Sequence, residues 1–177
     1  MGENCESDIF SSFDRDQVSA VRSLMIKVLL NTDMSKHFAK KNLIKGMLLT
    51  NQAKDDPIDL VSDEVSRHEI LSFILHMADI SNPAKKRETS IKWTDRVLEE
   101  FFEQGDEEKK LGLDVSALCD RNTVGRAESQ IGFINFIVLP SYELLGELVP
   151  RIRTEVIPML EANLEYWIQQ KALEPNG

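Results

Sequence analysis

The stretch His76-Met77-Ala78-Asp79-Ile80-Ser81-Asn82-Pro83 closes the most continuously apolar helix that the sequence predicts. Asn82-Pro83 is a stop signal, because proline lacks a backbone donor and disfavours helix in the residue before it. Apolar residues occur on every side of the predicted helix, which indicates burial on most sides. Asp79 would then be a carboxylate removed from water, which needs a cation, a metal or several donors, or else shifts its pKa.

Composition predicts a single all-α domain spanning residues 1–177. The chain has 177 residues, 42% hydrophobic and 29% charged, with only 8 glycines and 6 prolines, which is typical of a helix-rich globular protein. Its formal net charge of -9 argues against binding to a nucleic acid polymer, because phosphate contacts need a surplus of Lys and Arg. A small phosphate-bearing ligand is compatible with this charge.

The cysteines and the first residues predict a cytoplasmic protein. Cys5 and Cys119 match no paired metal spacing and are interpreted as reduced thiols. The acidic start is unlike a signal peptide, and we expect no apolar run long enough to span a bilayer. Membrane association would then depend on regions outside this chain.

Upstream of the opening stretch, periodicity and capping residues predict three helices. The first has apolar positions at spacings of three and four, and the second follows a polar corner. An acidic loop without apolar period covers residues 50–63, and a capping box at Ser66–Glu69 opens the third helix. The first helix is capped by Asp14 or Asp16, and the second runs from Asp33 to about Leu48.

Downstream, glycines and prolines predict the helix boundaries. Glycine is expected just after a helix end, and proline inside a helix breaks it. The predicted segments are a helix over 90–105 ended by Gly105, a short helix over 106–111 stopped by Gly112, a buried helix from Glu128 ending before Pro140, and helical pieces over 141–149 and 151–173 with an interruption near Pro158.

The three histidines predict no zinc site of their own. His37, His68 and His76 are not separated by three or four residues, the spacing at which two imidazoles on a helix chelate one metal. His76 and Asp79 lie three residues apart and can approach one cation. The alternative for His76 is a hydrogen-bonded histidine of the core.

Gln130 is an amide in an otherwise apolar segment, with Phe133 one turn later on the same face. A carboxamide offers one acceptor and two donors to a purine edge, and an aromatic ring supplies a stacking surface. The alternative is a glutamine that caps a core helix beside a core phenylalanine. The spacing alone leaves both interpretations open.

Five stretches, in this order, resemble the class I cyclic-nucleotide phosphodiesterases. They are residues 32–37 (TDMSKH), 76–83 (HMADISNP), 93–106 (WT and EEFFEQGD), 118–121 (LCDR) and 129–134 (SQIGFI). The resemblance implies an all-helical, HD-type catalytic domain that hydrolyses the 3',5'-cyclic phosphodiester of cAMP or cGMP to the 5'-monophosphate. It also implies two divalent metals, zinc and magnesium or manganese.

By this resemblance, Asp79 matches a metal ligand, and Thr32 and Asp33 match a polar corner near the water molecules bound to the metals. Gln130 matches the residue that hydrogen-bonds the purine, and Phe133 matches the ring that clamps it. Further positions of the substrate pocket match as well: Ile80 or Val97 on the opposite wall, with Asn82, Leu98, Phe101 and Met34 in the lining.

The family's His-Asn-x-x-His and His-Asp motifs, and its general-acid histidine, have no counterpart here. We therefore expect residues 1–177 to be the C-terminal part of the catalytic domain, without the upstream metal-binding half, without a full metal pair and inactive alone. Apolar faces left exposed would favour a homo-oligomer or a swapped dimer. The alternative function is a non-catalytic helical interaction or nucleotide-sensing module.

Overall fold

The computed structural model describes residues 9–53, 60 and 62–173. These residues form helices and turns, with no strand among them, which confirms the predicted all-α class. The chain divides into two compact units, Met1–His76 and Met77–Gly177.

The first unit contains α1, α2 and most of α3, with a 3₁₀ turn before α2. Asp14 rather than Asp16 starts α1, because its carboxylate accepts the backbone N–H of Gln17 at 2.8 Å while the Gln17 side chain accepts the N–H of Asp14 at 3.0 Å. The bounds are Arg15–Leu30 for α1, Met34–Lys36 for the 3₁₀ turn, His37–Gln52 for α2 and Glu64–Asp79 for α3. The predicted loop over 50–63 is thus helical to Gln52, and its residues 54–59 and 61 lie outside the described part.

The capping box predicted at Ser66–Glu69 is wrong. The helix α3 begins at Glu64, three residues earlier than a cap at Ser66 would place it. The cap is Asp63, whose Oδ2 accepts the N–H of Ser66 at 2.8 Å. Glu69 instead bridges two helices by pairing with Lys27 of α1, at 2.8 Å, and with Lys40 of α2.

The prediction that α3 is buried on most sides is also wrong. Ile70, Phe73 and Met77 are buried, at the spacing of three and four that defines one helix face. Leu71, Ile74 and Leu75 are all at least 37% exposed, although their side chains are just as apolar. The helix α3 therefore buries one face and leaves apolar side chains exposed on the other.

Over its described residues, 77–173, the second unit contains the end of α3, a 3₁₀ turn and five further helices, two of them joined by a π-helical segment. Their bounds are Asn82–Ala84 for the 3₁₀ turn, Arg87–Lys110 for α4, Arg126–Phe133 for α5, Ile134–Val138 for the π segment, Leu139–Leu148 for α6, Arg151–Glu155 for α7 and Ile157–Leu173 for α8. Pro158 stands in the first turn of α8, which agrees with the predicted interruption.

The predicted helix end at Gly105 is wrong, because α4 continues to Lys110 and absorbs the short helix expected after it. A Cβ atom at Gly105 would lie 1.9 Å from the carbonyl oxygen of Cys119. This glycine serves a close backbone approach within the second unit. Gly112, with a φ of +70°, takes the left-handed conformation typical of a helix end.

The predicted end before Pro140 is wrong as well. The π segment widens the helix where Pro140 cannot donate a backbone bond, and the hydroxyl of Ser141 donates to the Ile137 carbonyl at 2.6 Å. Among the described residues, the resulting stretch Arg126–Leu148 is, by length and composition, long and apolar enough to cross a membrane. The expectation that no segment is long and apolar enough to span a bilayer is therefore wrong by length and composition. Buried helices of soluble proteins meet the same two criteria.

The helix α5 is fixed between α4 and α8 by Arg126. Its Nε donates to Asp95 of α4 at 2.7 Å, and its guanidinium lies 4.8 Å from the ring centre of Trp167 in α8. Trp167, Ala127 and Ile134 are buried together. This packing sets the position of Gln130, which lies one turn after Arg126.

Candidate functional site

Asp79 is the last residue of α3, and its side chain is exposed. The predicted buried carboxylate is therefore wrong. Residues two apart on a helix point about 200° apart, so Asp79 faces away from the buried Met77. Ile80, the next residue, is buried.

A cavity of about 390 Å³ opens beside Asp79 in the second unit. It combines a carboxylate, a carboxamide and an ammonium group with the indole of Trp93. The guanidinium of Arg96 lies 5.6 Å from the centre of that indole ring. Such a cavity offers both signs of charge and an aromatic face to a polar ligand. The lining residues are Ala78, Asp79, Ser81, Asn82, Lys85, Trp93 and Val97.

Gln130 is held by Thr94 of α4. The Thr94 hydroxyl donates to Oε1 of Gln130 at 3.1 Å, and both side chains are buried. This bond uses one of the two lone pairs of the carboxamide oxygen and leaves both protons of the amino group for other partners. Sequence reasoning did not assign this role to Thr94, although Ser90, Thr94 and Leu98 recur at the four-residue spacing of a buried helix face.

Phe133 is partly buried and lines a second cavity, of about 430 Å³, with Leu118 and Ile137. The structure thus brings Asp79, Asn82 and Val97 together around one cavity and places Phe133 at another. The other predicted pocket residues of this unit lie in the helix packing: Ile80 and Leu98 are buried and Phe101 is partly buried.

The predicted residues of the first unit make local contacts. Thr32 donates its hydroxyl proton to the Leu29 carbonyl at 2.8 Å. Asp33 accepts the N–H of Ser35 at 2.9 Å, and hydrogen bonds from Ser35 lower the pKa of its carboxyl. Met34 is exposed. Their role around a metal or a substrate stays a prediction.

His37 and His76 form a buried pair in the first unit, with Nδ1 of His37 2.9 Å from Nε2 of His76. Burial, together with the positive charge of His76 and Lys41, lowers the pKa of His37 to about 4. This contact favours the interpretation of His76 as a core histidine. The two residues are 39 positions apart in the sequence, so no local spacing predicts that they pair.

The described residues do not fit a complete metal centre. Within 9–53, 60 and 62–173, no group of three or more His, Cys, Asp or Glu side chains is arranged to hold an ion. Asp79 supplies a single carboxylate, whereas a tightly held divalent metal takes several protein ligands. Cys119 is a buried free thiol whose pKa is raised by burial, so it is a poor ligand.

The all-helical fold is shared with solved phosphodiesterase structures. The chain belongs to the 3'5'-cyclic nucleotide phosphodiesterase family, whose model matches residues 1–159. It is similar to LmjPDEB1 solved in complex with IBMX, with a TM-score of 0.81 and 25% identity over 96% of this chain and 48% of that one. The phosphodiesterase domain of the RhoPDE fusion protein from Salpingoeca rosetta also gives a TM-score of 0.81, with 29% identity over 92% of this chain and 50% of that one.

Curated relatives agree with this assignment. The 3',5'-cyclic-AMP phosphodiesterase 4C of Rattus norvegicus is 38% identical over 170 residues, which are 96% of this chain and 31% of that protein. The 3',5'-cyclic-AMP phosphodiesterase, isoform F, of Drosophila melanogaster is 34% identical over 93% of this chain and 25% of that protein. The chain therefore spans between a quarter and a third of the length of these relatives.

Proposed function

We propose that this chain is the C-terminal part of a phosphodiesterase catalytic domain and provides the wall that binds the base of a cyclic nucleotide, cAMP or cGMP. The hydrogen bond between Thr94 and Gln130 carries this proposal. It orients a buried amide on α5 one turn before Phe133. A fixed carboxamide beside an aromatic ring is suited to a flat heterocycle with hydrogen-bonding edges.

In this proposal the amino group of Gln130 donates to the purine and Phe133 packs against its face. By the resemblance, Ile80 or Val97 forms the wall opposite Phe133. Val97 and Asn82 line the cavity beside Asp79, whereas Phe133 lines the second cavity. Ile80, Leu98 and Phe101 keep the pocket positions that the resemblance gives them. Support for cAMP comes from the relatives named as cyclic-AMP phosphodiesterases.

Hydrolysis to the 5'-monophosphate is proposed for the intact domain, with zinc and magnesium or manganese. The residues described here do not assemble the donors for such a pair, so we expect no turnover from this chain alone. The same observation favours a second candidate, a nucleotide-sensing or interaction module that binds without hydrolysing. In both cases the expected partner is a cyclic nucleotide, and the expected location is the cytoplasm.

Calorimetric titration of the purified chain with cAMP, cGMP and 5'-AMP tests the proposal. We expect a cyclic nucleotide to bind, and the Gln130→Leu variant to weaken binding at least tenfold. Gln169→Leu is the matched control, because Gln169 is exposed on α8 and bonds only to its own helix in the described contacts, at Glu165. Absence of binding would refute the nucleotide-binding wall.

A parallel assay of cyclic-nucleotide hydrolysis, with zinc and magnesium added, tests whether the chain alone is inactive. Binding without turnover is the expected result. Robust turnover by this chain, abolished in Asp79→Asn, would show that the chain is catalytically complete and contradict the proposal that it is inactive alone.

A further inference from the structure

The link between α3 and α4, residues 81–85, supplies three side chains of the cavity beside Asp79: Ser81, Asn82 and Lys85. Within this link, the N–H of Ala84 donates to the Ser81 carbonyl at 2.9 Å and that of Lys85 to the Asn82 carbonyl at 3.4 Å. The carbonyls of residues that follow a short turn have no helical partner of their own. Their donors must come from another part of the unit.

Asn163, in the middle of α8, is that donor. Its side chain is 3% exposed, and Nδ2 lies 2.8 Å from the carbonyl oxygen of Pro83 and 2.8 Å from that of Lys85. A carboxamide nitrogen carries two protons, so one side chain satisfies both carbonyls. These carbonyls precede Asn163 by 80 and 78 positions in the sequence, so the contact joins distant parts of the second unit.

A second contact joins the same elements. At the start of α4, Arg87 donates from Nη2 to the Ala162 carbonyl at 3.2 Å, and its guanidinium lies 5.2 Å from the ring centre of Tyr166. This contact is exposed, whereas that of Asn163 is buried. A buried hydrogen bond is the more costly of the two to lose, because water cannot replace the missing donor.

An apolar residue would be the ordinary choice at position 163. Leu160 and Trp167, one turn away on either side, are both buried on the same face of α8. Burying an amide there is unfavourable unless its hydrogen bonds are made. The bonds to Pro83 and Lys85 therefore explain why this face contains an asparagine.

We propose that Asn163 is a positioning residue for the cavity beside Asp79. It fixes the backbone on both sides of Ala84 and thereby holds Asn82 and Lys85 in the cavity wall, although it does not line the cavity itself. Recognition of a ligand then depends on an amide in α8. The identity of the ligand rests on the proposed function. The two hydrogen bonds from Asn163 to the carbonyls of Pro83 and Lys85, which we call the tether, do not.

Nuclear magnetic resonance of the uniformly ¹⁵N- and ¹³C-labelled chain tests the tether directly. We expect scalar couplings across hydrogen bonds from Nδ2 of Asn163 to the carbonyl carbons of Pro83 and Lys85. A well-dispersed, assigned spectrum without either coupling would overturn the proposal. This measurement needs no variant and is independent of nucleotide binding.

The Asn163→Asp variant keeps the shape of the side chain but loses both protons. We expect hydrogen exchange at the amides of Ala84 and Lys85 to become at least tenfold faster, with a displaced side-chain amide signal of Asn82. Asn135→Asp is the matched control, because Asn135 is exposed in the π segment. Equal exchange in the two variants would count against the tether.

Binding of cAMP separates the two proposals. If the wild-type chain binds, we expect Asn163→Asp to raise the Kd at least fivefold and Asn135→Asp to leave it within twofold. Faster exchange with an unchanged Kd would overturn the positioning role. If the wild-type chain does not bind, the proposed function fails, and the couplings and exchange rates still decide whether the tether exists.

Discussion

The buried imidazoles of His37 and His76 meet with Nδ1 and Nε2 only 2.9 Å apart. At this distance one nitrogen donates a proton and the other accepts it, so the pair requires at least one neutral ring. Two charged rings would repel each other where water cannot screen them. The first unit therefore contains a contact whose stability depends on pH.

We predict that the free energy of unfolding falls as the pH decreases from about 6.5 to about 4. Burial, then the charges of His76 and Lys41, lower the pKa of His37 from 6.5 to about 4. The unfolded chain binds more protons than the folded one in this window. The contribution is complete above pH 6.5 and is lost towards pH 4, by at most about 1.4 kcal/mol per pH unit.

Urea unfolding at pH values from 7 to 4.5 measures this effect. The His37→Leu variant should show a shallower pH dependence than the wild-type chain. His68→Gln is the control, because His68 is partly exposed and paired only loosely with Glu64, at 4.0 Å. Parallel pH profiles for His37→Leu and the wild type would rule out His37 as the source.

Gly105→Ala should destabilise the chain by about 1–3 kcal/mol, the usual range for overpacking. The added Cβ would lie 1.9 Å from the Cys119 carbonyl oxygen, so the backbone must move. Gly132→Ala is the control, since a Cβ there meets nothing within 4 Å, and alanine favours helix. Thermal unfolding should show a lower Tm for the first variant and an equal or higher Tm for the second.

Glu69→Gln should destabilise the chain by about 1–3 kcal/mol, because it leaves the ammonium of Lys40 without its charged partner. Lys40 is only 8% exposed, and Glu69 bridges it to Lys27. The matched control is Glu155→Gln, whose exposed pair with Arg151 should contribute within about 0.5 kcal/mol. Chemical unfolding that finds equal losses for the two variants would contradict this distinction.

Periodicity and capping predicted most helices, because those signals are local. The helix α1 begins at the predicted cap, Asp14, and the break near residue 31 is observed. The predicted helix end at Gly105 is wrong because this position needs a glycine for another reason. The backbone of Cys119, fourteen positions later, leaves no space for a side chain. The predicted helix end before Pro140 is wrong because a π segment accommodates the proline inside the helix, and no local sequence signal predicts that segment.

The candidate site was predictable in its residue types but not in its burial. The apolar side chains around α3 gave no sign of which face is exposed, so Asp79 was expected in the core and lies at the surface. Partners across helices, such as Thr94 for Gln130 and Asn163 for Pro83, depend on packing that no spacing encodes. An amide on an apolar helix face was the available signal in both cases.

Self-association through α1 is a further prediction. Leu29 and Leu30 are 60% and 62% exposed, and α1 has no fully buried residue. Large exposed apolar surfaces favour association. We expect light scattering to show oligomers of the chain, and the double substitution Leu29→Lys, Leu30→Lys to shift it towards a monomer. Leu173→Lys, at an exposed residue of α8, is the control, and a monomeric wild-type chain would contradict the prediction.

Thr94→Val should reduce nucleotide discrimination more than it reduces stability. Valine has nearly the same shape as threonine, but it cannot donate to Oε1 of Gln130, which Thr94 contacts at 3.1 Å. Adenine and guanine present opposite donor and acceptor patterns at the edge that an amide reads, so an amide free to rotate can serve either base. We expect the ratio of the Kd values for cAMP and cGMP to move at least threefold towards one.

Thr94→Ser, which keeps the hydroxyl, should retain the wild-type ratio while losing only a methyl group. Calorimetric titration of both variants with both nucleotides makes the comparison, and thermal unfolding reports the stability of each. The observed contact places the carboxamide oxygen of Gln130 towards Thr94, and valine removes the group that donates to it. A ratio that changes equally in Thr94→Ser and Thr94→Val would mean that packing, rather than the hydrogen bond, orients Gln130.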